Sequence, residues 1–279
     1  MGFCNLDTTN QLYSMVTPTF LKVDDAKQFS LKDLSVTGYS KSEVIPPLPF
    51  YQGGCGLGAF EMMVLKNDGN PNTERTFYWI DCKMGMDPIP TVYEAGWYKM
   101  VGDNPVKMTD AEVAAEKFDL GQAFWIKGSG YKLVSAGAVS PQRMEFKTDD
   151  KLYVAAGNGM PVDCTLGDLY VNGYDPSEVI PPLPFYQGGC GLGQFELMIL
   201  KNDGNPEQAY YWIDCKMGMD PVPTVYEAGW YKMVDDNPVK MNAEELAAVK
   251  IKAGQGFWIA GTEYNLVVPS PLTEKKDAE

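Results

Sequence analysis

Alternation of apolar and polar positions marks the first clear element. In Ala59-Phe60-Glu61-Met62-Met63-Val64-Leu65, residues 60, 62 and 64 are apolar, a period of two that predicts a strand with Glu61 on the opposite, solvent side. Phe195, Leu197 and Ile199 repeat the pattern later. Lys66-Asn67-Asp68-Gly69-Asn70-Pro71 is turn chemistry, because Asn, Asp and Gly tolerate positive φ. Thr76-Phe77-Tyr78-Trp79-Ile80 then supplies β-branched and aromatic residues for a second strand, giving a hairpin. Further strands are predicted at 31–37, 97–101, 123–127 and 131–135. Pro46-Pro47-Leu48-Pro49 lacks the N–H donors of a central strand and reads as an edge or an extended connection. One short helix is predicted after each of Thr109-Asp110-Ala111-Glu112 and Asn242-Ala243-Glu244-Glu245, where a capping residue precedes a Glu three positions on. Gly121 and Gly254 end these segments, ahead of a Phe-Trp-Ile strand.

The pattern occurs twice. EVIPPLPFYQGGCGLG at 43–58 returns letter for letter at 178–193. WIDCKMGMDPIPTVYEAGWYKMV at 79–101 returns at 212–234 with one change, Ile89 to Val222. Leu-x-Asp-Leu, Gly-Tyr and Gly-Gln-x-Phe-Trp-Ile also recur in order. Each copy is long enough to hold its own core. The sequence therefore predicts an all-β chain of two tandem homologous β-sandwich or barrel-like domains, each with one short helix. The first spans 1–140 and the second 141–279, ending in a charged tail from Thr273 to Glu279. Identity reaches into Pro- and Gly-rich stretches that ordinarily drift as surface loops. Either the duplication is recent or both copies present the same surface.

Composition narrows the chemistry. The 279 residues carry 23 basic and 37 acidic side chains, a net charge of −14, and no histidine. Without imidazole there is no Ser-His-Asp or Cys-His pair and no His-ligated metal. Clustered Lys and Arg, which nucleic acid requires, are lacking in so acidic a chain. No run approaches the 18 apolar residues of a membrane span. Met1-Gly2-Phe3-Cys4-Asn5-Leu6 has neither the basic nor the apolar region of a signal peptide, so the chain reads as cytosolic or as already processed.

The remaining motifs point to structure. Gly53-Gly54-Cys55-Gly56-Leu57-Gly58 misses the spacing of a phosphate loop and precedes a strand, so it reads as a turn or bulge. Cys55 and Cys82 recur as Cys190 and Cys215. Paired as Cys55–Cys82 and Cys190–Cys215, each would close a loop of about 25 residues and add about 3 kcal/mol in the chain-entropy model. The alternative is buried free thiols. Cys4 and Cys164 stand outside the shared set, as candidates to bridge to each other or between subunits. Glu61, Asp81, Glu94, Glu196, Asp214 and Glu227 are carboxylates of the type glycosidases use, but read better as solvated or turn-capping groups. Trp97 and Trp230 follow Pro-rich stretches, which makes them candidate surface contacts for stacking on sugar rings. Leu12, Tyr13, Met15 and Val16 lie in a candidate strand for pairing with a neighbouring subunit.

Taken in order, Leu-x-Asp-Leu-x-Val-x-Gly-Tyr, Tyr-Trp-Ile-Asp, Ala-Gly-Trp-Tyr and Gly-Gln-x-Phe-Trp-Ile-x-Gly resemble tandem β-domains of exported bacterial surface proteins without assigned activity. The resemblance implies an extracellular or cell-surface location. With no catalytic set, no cofactor and no metal site, the sequence predicts a non-enzymatic structural protein. Its expected partner is itself, assembling head to tail into a filament, tube or surface layer. The alternative is a carbohydrate-binding or adhesive module with glycans as partners.

Overall fold

The computed structural model describes residues 2–8, 13–22, 27–38, 44–45, 59–64, 75–80, 83–84, 91–102, 104–128, 130–141, 143–148, 153–172, 179–180, 194–199, 208–213, 216–217, 224–235, 237–261 and 264–272. The chain divides into two compact units that part between Ser140 and Pro141.

The first unit runs β1 (Gly2–Asp7), β2 (Ser14–Val16), β3 (Gln28–Ser30), β4 (Leu34–Thr37), β5 (Val44–Ile45), β6 (Ala59–Val64) and β7 (Arg75–Ile80). It continues through β8 (Lys83–Met84), β9 (Thr91–Val92), β10 (Gly96–Val101), β11 (Asn104–Lys107), α1 (Asp110–Ala115), β12 (Lys117–Asp119), β13 (Phe124–Lys127) and β14 (Lys132–Gly137). The second unit begins β15 (Met144–Lys147), β16 (Val154–Gly157), β17 (Cys164–Thr165), β18 (Tyr170–Asn172), β19 (Val179–Ile180), β20 (Gln194–Ile199) and β21 (Gln208–Ile213). It ends with β22 (Lys216–Met217), β23 (Thr224–Val225), β24 (Gly229–Val234), β25 (Asn237–Lys240), α2 (Ala243–Ala248), β26 (Lys250–Ile251), β27 (Gly256–Ala260) and β28 (Asn265–Val268). Described residues thus form an all-β fold with one short helix per unit.

The two units share one topology. A six-stranded antiparallel sheet has the order β11-β10-β7-β6-β13-β2, and its counterpart the order β25-β24-β21-β20-β27-β16. Smaller sheets β1-β14-β4 and β3-β12 are matched by β15-β28-β18 and β17-β26. A three-stranded sheet, β5-β8-β9, is matched by β19-β22-β23, each with one parallel pair.

In the first unit the smaller sheets pack on one face of the large one, forming a sandwich. Leu34, Val36 and Leu133 from one, and Phe29 and Phe118 from the other, share a core with Phe60, Met62, Phe77 and Trp97. Tilted and edge-on ring pairs, such as Phe29 with Phe118 at 5.4 Å and Phe118 with Phe124 at 5.0 Å, fill it in the geometry that aromatic quadrupoles favour.

The hairpin at 59–80 forms as the alternation predicts, with Phe60 opposite Trp79 and Met62 opposite Phe77. Both helices begin with a capping box. The Thr109 hydroxyl accepts from the Glu112 N–H, and the Asn242 side chain from those of Glu244 and Glu245. Each helix is shorter than the sequence suggests: it stops at Ala115 or Ala248, and a strand intervenes before the glycine turn. Residues 31–33 form a 3-10 turn, pinned by the Asp33 carboxylate on Ser30, and only 34–37 are extended. The proline-rich stretch 46–49 lies outside the described residues.

Candidate functional site

Trp97 and Trp230 do not face solvent. They are only 5% and 3% exposed. Gly96 already pairs with Ile80, so Trp97 is the second residue of a central strand and points into the core. There it packs edge-on against Trp79 at 5.5 Å and Phe60 at 6.2 Å. Trp230 repeats this against Trp212 and Phe195. This corrects the reading of the two tryptophans as sugar-stacking surfaces. A Pro-rich stretch in the sequence does not keep the strand that follows it at the surface.

The opposite face of the large sheet is also buried at its centre. Glu61 lies on that face, as alternation predicts, but is 4% exposed rather than solvated. The Tyr13 hydroxyl donates to it at 2.7 Å, and Lys127, its register partner, stands 4.8 Å from the Tyr13 ring centroid. Tyr78 and Tyr98, next along the same register, are buried too. In the second unit Tyr153 donates to buried Glu196 at 3.1 Å, while Tyr211, Ile213 and Tyr231 cluster beside Tyr226 and Met233. Hydrogen bonding makes burial of these carboxylates tolerable. The other two described carboxylates of that set are paired: Lys107 donates to Glu94 at 2.8 Å and Lys240 to Glu227 at 2.9 Å. Asp81 and Asp214 lie outside the described residues.

The segment containing Tyr13, Met15 and Val16 is likewise committed within its own unit. β2 pairs with β13, placing Met15 opposite Trp125 and Val16 opposite Phe124, and both are buried. β2 is nonetheless the outermost strand of the six-stranded sheet, with β13 on its inner side; Leu12 lies outside the described residues. The repeat also begins earlier than the obvious identities. Thr8 and Tyr13 have structural equivalents in Thr148 and Tyr153, and Thr-x-x-x-Leu-Tyr at 8–13 and 148–153 is the sequence signal for it. Thr8 donates to the Tyr131 carbonyl and Thr148 to that of Tyr264. The spacing here is 140 rather than 135, because the first copy is longer between β2 and β3.

Cys55, Cys82, Cys190 and Cys215 lie outside the described residues. Cys4 and Cys164 are free thiols, each partly buried within its own unit. Burial first, then the Asp168 and Asp163 carboxylates, pushes the Cys164 thiol up to about 12. That leaves little thiolate for disulfide exchange at neutral pH.

The features shared by both units sort to the two ends of the large sheet. Ala59, Ile80 and Gly96 are neighbours across three strands, and the stretches identical between copies join the sheet there. The counterparts are Gln194, Ile213 and Gly229. The variable hairpin tip joins the other end, where Val64 pairs with Arg75. At that end β10 and β11 turn tightly. Val101 is 55% and Val106 42% exposed, and Val234 and Val239 match them at 43% and 42%. This outermost strand resists pairing. The Met108 N–H donates to the Trp97 carbonyl, so residues 105 and 107 address the free edge, where Pro105 has no N–H to offer. Pro238 holds the equivalent position.

Among the described residues no three His, Cys, Asp or Glu side chains come together as a metal site. No described helix is long and apolar enough to cross a membrane. No family model, curated protein or solved structure matches the chain.

Proposed function

We propose that this chain is a non-enzymatic structural protein of the cell surface or extracellular space that assembles head to tail with copies of itself. The observation that carries the reading is the valine pair of the β10–β11 hairpin, kept exposed at equivalent positions in both units. Exposed apolar side chains held in place twice, beside strands protected from edge pairing, suit a packed contact between folded units. The opposite end of each sheet receives the stretches that are identical in both copies. A head-to-tail contact needs two different surfaces on each unit and propagates where they do not close into a ring. The location rests on the resemblance to exported tandem β-domains. The test is sedimentation and electron microscopy of the purified full chain. Filaments, tubes or sheets that are lost on Val106→Lys with Val239→Lys support the reading. A monodisperse monomer at high concentration overturns it.

A further inference from the structure

β1 is the outermost strand of its sheet, and no described strand pairs with its outer side. The Thr8 N–H donates to the Tyr131 carbonyl at 2.9 Å, just past the end of the β1–β14 ladder. Hydrogen-bonded residues alternate along an antiparallel pair, so Gly2, Cys4 and Leu6 address β14 as well. The N–H and C=O groups of Phe3, Asn5 and Asp7 therefore point to the free edge. The side chains of these three stand on the exposed face, and Phe3 is 68% exposed.

This edge lacks the protection found elsewhere in the chain. The free edge of β11 carries Pro105 and Lys107, and that of β25 carries Pro238 and Lys240. The counterpart of β1 in the second unit has Arg143, Glu145 and Lys147 at the positions of Phe3, Asn5 and Asp7. Charges and prolines of this kind are what keep a sheet edge from pairing with another chain. β1 has a single charge, at one end.

We propose that β1 pairs antiparallel with β1 of a second copy, about a twofold axis at Asn5. This register places Asn5 opposite Asn5 of the second copy and Phe3 opposite its Asp7, and it uses every outward backbone group of the strand. It also holds the two Asp7 carboxylates at opposite ends of the ladder, whereas parallel pairing would bring them together. The two three-stranded sheets become one of six strands. The contact closes on itself and stops at a dimer, so it is independent of the head-to-tail reading.

Sedimentation equilibrium of the full chain carrying Val106→Lys and Val239→Lys, so that only this contact is read, tests it. A dimer is expected. Asn5→Asp or Asn5→Lys puts like charges directly opposite each other and weakens the dimer about fivefold. Mixing the two in equal amounts restores it, because each chain then meets the opposite charge. Asn5→Pro removes an outward N–H and abolishes it. Asn5 faces solvent, so unchanged circular dichroism and melting verify the fold of each variant. A wild-type edge that stays monomeric, or charge variants that dimerise like the wild type, overturns the inference. If filaments of the unmodified chain persist in that case, the head-to-tail reading survives without it.

Discussion

Tryptophan packing is the residue-scale feature with the clearest energetic consequence. Trp97 packs edge-on against Trp79 and Phe60 and is buried in the core. Trp97→Ala should destabilise the first unit by about 3–5 kcal/mol, as truncation of a buried aromatic does. Denaturant unfolding monitored by circular dichroism measures it, and Trp230→Ala should act alike on the second unit. Cys164 makes a second prediction at this scale. With its thiol pushed up to about 12, it should resist alkylation at neutral pH in the folded chain and react readily once the chain is unfolded in urea. Peptide mapping by mass spectrometry reads both states. Alternation placed Glu61 on the face opposite Phe60, Met62 and Val64, where it stands. It did not reveal that Glu61 is buried, because the hydroxyl that makes burial tolerable comes from Tyr13, 48 residues away.

At the scale of elements, the long alternating hairpin and both capped helices were legible in the sequence, since each depends on neighbours along the chain. The strands β1, β3 and β12 were not. The last two are three residues long, too short for a period to register, and exist because they pair with each other across a large separation in sequence. Lysine–glutamate pairs join these elements. Lys99 on β10 donates to Glu112 of α1 at 2.5 Å, and Lys232 to Glu245 at 2.6 Å. The Lys99 hydrogen bond, followed by those from the Thr109 backbone and hydroxyl, holds the Glu112 carboxyl down at about 2. Lys232 and Asn242 lower Glu245, while Lys107 and Lys240 lower Glu94 and Glu227. A carboxyl that is more acidic folded than unfolded stabilises above its unfolded value of 4.5, and loses that contribution as pH falls through its folded value. The melting temperature should therefore drop as pH is lowered from about 5 to about 2. Lys99→Gln with Lys232→Gln should make that drop shallower in calorimetry.

At the scale of the whole molecule, the net charge of −14 opposes association between copies. Salt screens such repulsion over distances beyond the Debye length, about 10 Å at 0.1 M. Assembly should thus increase with added sodium chloride, read by light scattering; polymer that dissolves in salt would contradict a contact built on apolar side chains. The exact repeat made two similar domains legible, and the shared strand order follows from it. The two ends of the large sheet were not legible, because their neighbours meet only through strand pairing. One further consequence concerns force. The first and last strands of the first unit are antiparallel partners, with Gly2 opposite Gly137, and Met144 faces Val268 in the second. The chain therefore enters and leaves each unit at the same point. Tension along the backbone would peel the terminal strands apart one hydrogen bond at a time, rather than shear the whole ladder at once. A fibre of such units would owe its toughness to the contacts between folded surfaces, and little to the covalent thread that runs through them.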